Sequence, residues 1–153
     1  MDSGEIVAAL IRRGETVATA ESLTAGLVCA TLADVPGASA ALRGGLVVYA
    51  TDLKAELAGV DRALLAESGA VHPEVAAQLA EGARARCGAT WGLGLTGVAG
   101  PDSQDGVTPG TVYVGLAGDG VREVRTLCFE GDRGTVRQSS VRAAFDLLGE
   151  QLT

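Results

Sequence analysis

Aromatic side chains are scarce: Phe, Trp and Tyr together make up 3% of the 153 residues. A core without large rings must be filled by aliphatic residues, and Ala, Val and Leu supply most of the 47% that is hydrophobic. Cysteine is equally sparse. Cys29, Cys87 and Cys128 are odd in number and far apart, with no CxxC spacing, which excludes a disulfide framework and a cysteine zinc site. Buried reduced thiols in a cytoplasmic protein are the plain expectation. The single histidine, His72, sits in Val-His-Pro-Glu with no paired acid evident, so a Ser-His-Asp triad is not expected; a helix-capping role fits better. The opening Met1-Asp2-Ser3-Gly4-Glu5 has no basic segment followed by a long apolar one, and no run of about 18 apolar residues occurs anywhere. Neither a signal peptide nor a membrane segment is expected.

Positive charge is also short. The 12 Lys and Arg against 19 Asp and Glu leave a formal net charge of −7, which excludes general attraction to nucleic acid or anionic membrane. An anionic ligand would need a local cluster of cations or backbone N–H groups. No cofactor or metal motif is present.

Glycine, by contrast, is abundant, at 22 residues. The excess points to tight turns and close backbone approaches. The length suits one domain with a substantial core, and no repeat or linker divides it. Asp2 or Ser3 can cap a helix over Glu5 to Arg12, closed by Gly14. A strand follows at about Thr16 to Ala20, then a helix over about Thr24 to Ala33 and a turn-rich loop at 34–39. The apolar run Leu46 to Ala50 reads as a buried strand, and Thr51 or Asp52 as the cap of a helix closed by Gly59. A short helix spans Asp61 to Glu67. The helix after His72-Pro73 runs to Gly88. Trp91 to Leu95 reads as a central strand, 102–109 as an exposed excursion, and Thr111 to Ala117 and Val121 to Phe129 as a hairpin turning at Asp119-Gly120. A last helix covers about Thr135 to Leu148, capped by Asp132 or Thr135. The alternation predicts a single three-layer α/β/α domain with a mixed sheet.

Ser22 falls where the first strand hands over to a helix. A hydroxyl there can attack a carbonyl, with free N–H groups at the helix start holding the oxyanion. The competing role for Ser22 or Thr24 is a simple helix cap. Tyr49 and Thr96 also fall at strand ends, where open α/β sheets bind ligands. Lys54 follows Tyr49 closely and can act as a base if burial lowers its pKa; Tyr49 can relay the proton or hold the pair in register. The loop Thr96-Gly97-Val98-Ala99-Gly100-Pro101 lets N–H groups approach an oxyanion or phosphate. It is not a P-loop, since no Gly-Lys-Ser/Thr follows. Arg133, Arg137 and Arg142 lie on or near the start of the last helix, and Arg137 can pair with a phosphate.

These pieces together resemble the CinA C-terminal domain family, the nicotinamide-nucleotide amidohydrolases. The resemblance rests on Ala20-Glu21-Ser22-x-Thr24-x-Gly26-Leu27, Val35-Pro36-Gly37-x-Ser39, Gly44-Gly45-x-Val47-x-Tyr49, and Lys54 with Leu57 and Gly59-Val60. It continues through Gly69-Ala70-Val71, Leu95-Thr96-Gly97-x-Ala99-Gly100-Pro101, Pro109-Gly110-Thr111-Val112, and Gly131-Asp132-Arg133 with Arg137. Order and spacing agree over nearly the whole chain. The resemblance implies a layered α/β/α fold and deamidation of nicotinamide mononucleotide to nicotinic acid mononucleotide and ammonia, with no required metal and a tendency to oligomerise. It makes Ser22 the nucleophile and Tyr49 and Lys54 its partners. Thr24, Gly26, Gly45, Thr96, Gly97, Gly100 and Arg137 then surround the substrate, with Arg137 ranked above Arg133 for the phosphate. Leu23 and Ala25 depart from the Cys-Thr-Gly-Gly that often follows the serine, and Ala25 restricts a possible oxyanion loop. The 102–106 segment departs from a more glycine-rich version. An N-terminal domain that many members carry is expected to be absent, because Met1 begins almost at the first helix. The alternative function is a non-catalytic nucleotide-binding module linked to competence or DNA-damage pathways.

Overall fold

The computed structural model describes residues 1–153. Its centre is a five-stranded mixed sheet of order β2-β1-β3-β4-β5. Strand β1 (Val17–Glu21) pairs in parallel with β2 (Leu42–Val47) on one side and β3 (Trp91–Gly97) on the other. Strands β4 (Thr111–Gly118) and β5 (Val121–Cys128) continue the sheet antiparallel through the expected hairpin. Every residue of β1 and β3 is buried, as expected of strands covered on both faces.

Helices α1 (Ser3–Arg13), α2 (Leu27–Ala33) and α6 (Arg133–Leu152) cover one face around Ile6, Leu10, Leu32, Phe145 and Leu148. Helices α3 (Thr51–Ala58), α4 (Arg62–Ser68) and α5 (Pro73–Cys87) cover the other, around Val48, Leu65, Val75 and Leu79. The three-layer α/β/α arrangement is therefore present. No helix is long and apolar enough to cross a membrane.

Caps set several boundaries. Asp2 forms a capping box with Glu5, Asp61 accepts from Ala63 N–H, and His72 Nδ1 accepts from Glu74 N–H at 3.1 Å. The lone histidine is thus a cap, and Pro73 occupies the first turn, where its missing N–H costs nothing.

Several boundaries differ from those read in the sequence. Strand β2 lies at Leu42–Val47 and not at 46–50. Gly44 and Gly45 permit this earlier register, since a Cβ on Gly45 would stand 2.6 Å from Thr19 Oγ1 and 3.0 Å from Cys29 Sγ. The chain then leaves the sheet, and Ala50, not Thr51 or Asp52, is the N-cap of α3. Helix α2 begins at Leu27 and not at Thr24, because Ala25 (φ 49°) and Gly26 (φ 96°) turn into left-handed backbone. Helix α6 runs from Arg133 to Leu152, longer at both ends than expected. Ala38–Ala40 forms a short 3-10 turn inside the expected loop.

The glycine excess has a structural cause on the α5 face. A Cβ on Gly92 would lie 2.0 Å from Ala80 O, and one on Gly94 2.4 Å from Ala76 O. Gly115 on β4 meets the same Ala76 carbonyl at 2.3 Å. The helix backbone occupies the space where strand side chains would stand, so α5 rests on the sheet with nothing between. Gly92→Ala is expected to lower unfolding stability by at least about 2 kcal/mol through overpacking against backbone that cannot step aside. Denaturant unfolding of the variant beside the parent checks this.

Candidate active site

The site grows from the carboxyl end of β1. Glu21 is its last residue and is fully buried. Its carboxylate accepts from Val28 N–H at 2.9 Å, from Cys29 N–H at 3.0 Å and from the Thr19 hydroxyl at 3.0 Å. The amides at the start of α2 are therefore satisfied by Glu21, and neither Ser22 nor Thr24 caps the helix. This releases Ser22 from the capping role and leaves residues 22–26 as a free-standing turn between strand and helix.

Within that turn, Ser22 N–H donates to Leu95 O and Ala25 N–H to Ser22 O, both at 3.0 Å. The N–H groups of Leu23 and Thr24 have no partner. An unpaired amide directly after a serine is a donor an oxyanion requires; Leu23 lines the cavity beside Ser22, whereas Thr24 is fully buried and does not. Ala25 adopts the left-handed conformation despite its methyl group, at a cost of roughly 1–2 kcal/mol. The Thr24 side chain is fully buried and its Oγ1 is unpartnered.

A cavity of about 360 Å³ opens beside Ser22. Its walls include Tyr49, Gly97, Gly100, Asp102 and Arg133. Tyr49 is 56% exposed and lies outside β2, at the cavity mouth and not packed in a strand. Arg133 spans that mouth: its guanidinium donates to Gly100 O at 2.7 Å and to the Tyr49 hydroxyl at 2.8 Å. The carbonyl of Tyr49 in turn accepts from Lys54 Nζ at 3.2 Å, and Val48 O accepts from the same amine at 2.8 Å. Lys54 is 1% exposed, has no carboxylate partner, and burial lowers its pKa to about 8. Tyr49 thus joins the two cations, one through its hydroxyl and one through its backbone.

The other residues proposed for the substrate fall elsewhere. Arg137 does not line the cavity; its guanidinium donates to Leu23 O at 2.9 Å and Thr24 O at 3.1 Å. Arg133, ranked below it in the sequence, is the arginine at the cavity. Thr96 is buried and its hydroxyl donates to Ala70 O at 2.8 Å, tying β3 to the 69–71 loop. Gly45 faces Thr19 and Cys29, Gly26 is the N-cap residue of α2, and Thr24 is fully buried; none of the three lines the cavity. Gly97 and Gly100 do. Sequence reasoning missed Glu21. The signal available was an acid at the end of an apolar strand, placed just before a helix whose start offers unpaired N–H groups.

These features define an α/β/α protein that presents a serine turn at the carboxyl end of its central sheet, beside a glycine-walled cavity. The profile of the CinA C-terminal domain matches residues 3–152, and the chain belongs to that family. It is 48% identical over 149 residues to a CinA-like protein of Frankia casuarinae, covering 97% of this chain and 34% of that one. It is 46% identical over 144 residues to a CinA-like protein of Anaeromyxobacter dehalogenans, covering 94% of this chain and 35% of the other. The chain spans about a third of the length of these curated relatives. Among solved structures, a CinA superfamily protein from Klebsiella pneumoniae superposes with a TM-score of 0.94 at 31% identity, covering 98% of this chain and 94% of that one. The competence/damage inducible protein CihA from Agrobacterium tumefaciens superposes at 0.89, also at 31% identity, covering 97% and 94%.

Glu21→Ala would strand two helix amides and a hydroxyl inside the protein, each worth about 1–3 kcal/mol when buried unpaired. The variant is expected to lose at least about 3 kcal/mol of stability, read by chemical denaturation.

Proposed function

We propose that this chain hydrolyses the carboxamide of nicotinamide mononucleotide, releasing nicotinic acid mononucleotide and ammonia. The observation that carries this reading is Ser22 at the cavity wall, followed by the unpaired Leu23 amide, with the near-neutral Lys54 held at the adjoining strand end. A serine hydroxyl needs a base to become nucleophilic, and a lysine becomes one when burial lowers its pKa.

Ser22 Oγ attacks the carboxamide carbon, and its proton passes to Lys54. The oxygen of the tetrahedral intermediate lies against the Leu23 N–H; such a donor is worth about 3 kcal/mol. The C–N bond breaks, and the nitrogen leaves as ammonia with the proton that Lys54 returns. Water then adds to the acyl-serine, loses a proton to Lys54 and frees the acid, and Ser22 regains its hydrogen. No hydrogen bond joins Ser22 Oγ to Lys54 Nζ in the structure; contacts of this kind often form only once substrate fills the site. Arg133 suits the phosphate, exchanging its carbonyl and hydroxyl partners for phosphate oxygens. Asp102, on the same cavity wall, suits the pyridinium charge. Tyr49 serves as the link that keeps Arg133 and Lys54 in register.

Two experiments test the reading. Purified protein should release ammonia from nicotinamide mononucleotide, and Ser22→Ala should lower the rate at least about 10³-fold while leaving binding intact. Binding of equal strength with no ammonia from either form would instead mark a non-catalytic nucleotide-binding module. The pH profile tests Lys54. Below its pKa of about 8 the amine is protonated and cannot accept a proton, so kcat/KM should rise about tenfold per pH unit and level off above that value. Lys54→Met should abolish this rise; a rise that survives in the variant assigns the base to another group.

A further inference from the structure

Arg137 stands close to the nucleophile yet outside the cavity, and its two hydrogen bonds have a consequence for the amides after Ser22. A trans peptide sets its C=O and N–H on opposite sides of one plane. Fixing a carbonyl therefore fixes the N–H of the next residue. Arg137 Nε holds Leu23 O at 2.9 Å, which turns the Thr24 N–H to the opposite side. Arg137 Nη2 holds Thr24 O at 3.1 Å, which orients the Ala25 N–H. That N–H donates to Ser22 O at 3.0 Å, and the Ser22 carbonyl belongs to the peptide that carries the Leu23 N–H. One guanidinium thus sets the Thr24 amide directly and the Leu23 amide through a single intervening peptide.

We propose that Arg137 is a positioning residue that holds the turn after Ser22 so that the Leu23 N–H serves as an oxyanion donor for attack by Ser22, and that it is not a ligand of the substrate phosphate. This rests on the amidohydrolase reading for its choice of substrates. The fork matters, since both carbonyls are reached from one planar group that lysine cannot reproduce. The Ala25 turn adds a reason for an external clamp: with a methyl group in left-handed backbone, the turn is not at its intrinsic minimum and is held by its partners.

The test compares Arg137→Ala and Arg137→Lys with the parent on nicotinamide mononucleotide and on nicotinamide riboside, which has the same amide and no phosphate. Arg137→Ala should lower kcat about 10²-fold on both substrates, the loss typical of removing an oxyanion donor, with KM for the mononucleotide changed less than about threefold. Added guanidinium should restore part of the lost kcat. Arg137→Lys, which keeps charge and stem, should still lose about tenfold in kcat on both substrates, and it keeps the test decisive if the alanine variant fails to fold. A rise in KM confined to the phosphate-bearing substrate, with kcat retained, would overturn the proposal and make Arg137 the phosphate ligand.

A phosphate-free probe separates this inference from the proposed function. An aryl sulfonyl fluoride forms an Oγ–S bond with Ser22 as fluoride leaves with the serine proton, and mass spectrometry reads the rate. Labelling that slows in both Arg137 variants supports the clamp even if neither amide is hydrolysed. Equal labelling in parent and variants overturns it, as does an unlabelled parent that releases no ammonia.

Discussion

The buried carboxylate of Glu21 is the contact on which the site depends. A helix start needs acceptors for its first amides; here Leu27 N–H uses the Thr24 carbonyl of the turn, and the next two amides use a side chain from the strand below. Glu21 reaches forward from β1 to Val28 and Cys29, so α2 is anchored without any side chain of the turn. Its third donor, the Thr19 hydroxyl, lies beside Gly45, and a side chain on Gly45 would displace it. Gly45 in β2 therefore serves the carboxylate before it serves any ligand. Ser22 is left with its backbone bound and its hydroxyl at the cavity, which a serine acting as a cap would not have.

The second constraint is charge placement. The chain carries a formal net charge of −7, yet Arg133, Arg137 and Lys54 are all held by oxygen atoms at the carboxyl ends of β1, β2 and β3 or in the loops that follow. Each bonds backbone carbonyls and none is neutralised by a carboxylate. Exposed acids pair instead with distant arginines, as Glu74 and Glu81 do with Arg122. Local cations thus gather at one end of the sheet in an otherwise acidic chain, a placement suited to selective rather than general attraction of anions.

Much of the fold was legible because its signals are local. Alternation marked β4, the Asp119-Gly120 turn marked the hairpin, and Asp2 and the His72-Pro73 pair marked two helix starts. The strand-end position of Ser22 was equally legible, since it needed only an apolar run followed by a helix. What was not legible depends on distance in space. Strand β2 was read from its apolar run, but glycines placed it earlier by fitting Thr19 and Cys29. Arg133 and Arg137 lie one helical turn apart and look alike in sequence; only the packing of α6 decides that one reaches the cavity and the other the turn. Thr96 reads as a site residue from its strand end, yet its hydroxyl is taken by Ala70, a residue 26 positions away. Long-range hydrogen bonds of this kind leave no periodicity to detect.

Lys54 shows what the arrangement costs the fold. Its pKa falls from 10.5 to about 8 because burial penalises the ammonium. Between these two values the unfolded chain binds the proton and the folded chain does not, so stability rises with pH across that window. Below about pH 8 both forms are protonated and the full penalty of burying the charge remains. An apolar residue of similar length would avoid that penalty but would leave the Val48 and Tyr49 carbonyls without their donor. The lysine is thus destabilising in the pH range where it is charged, and it is usable as a base because of that same burial. A lysine kept where it weakens the fold, without a partner acid, is a candidate for chemistry rather than for packing.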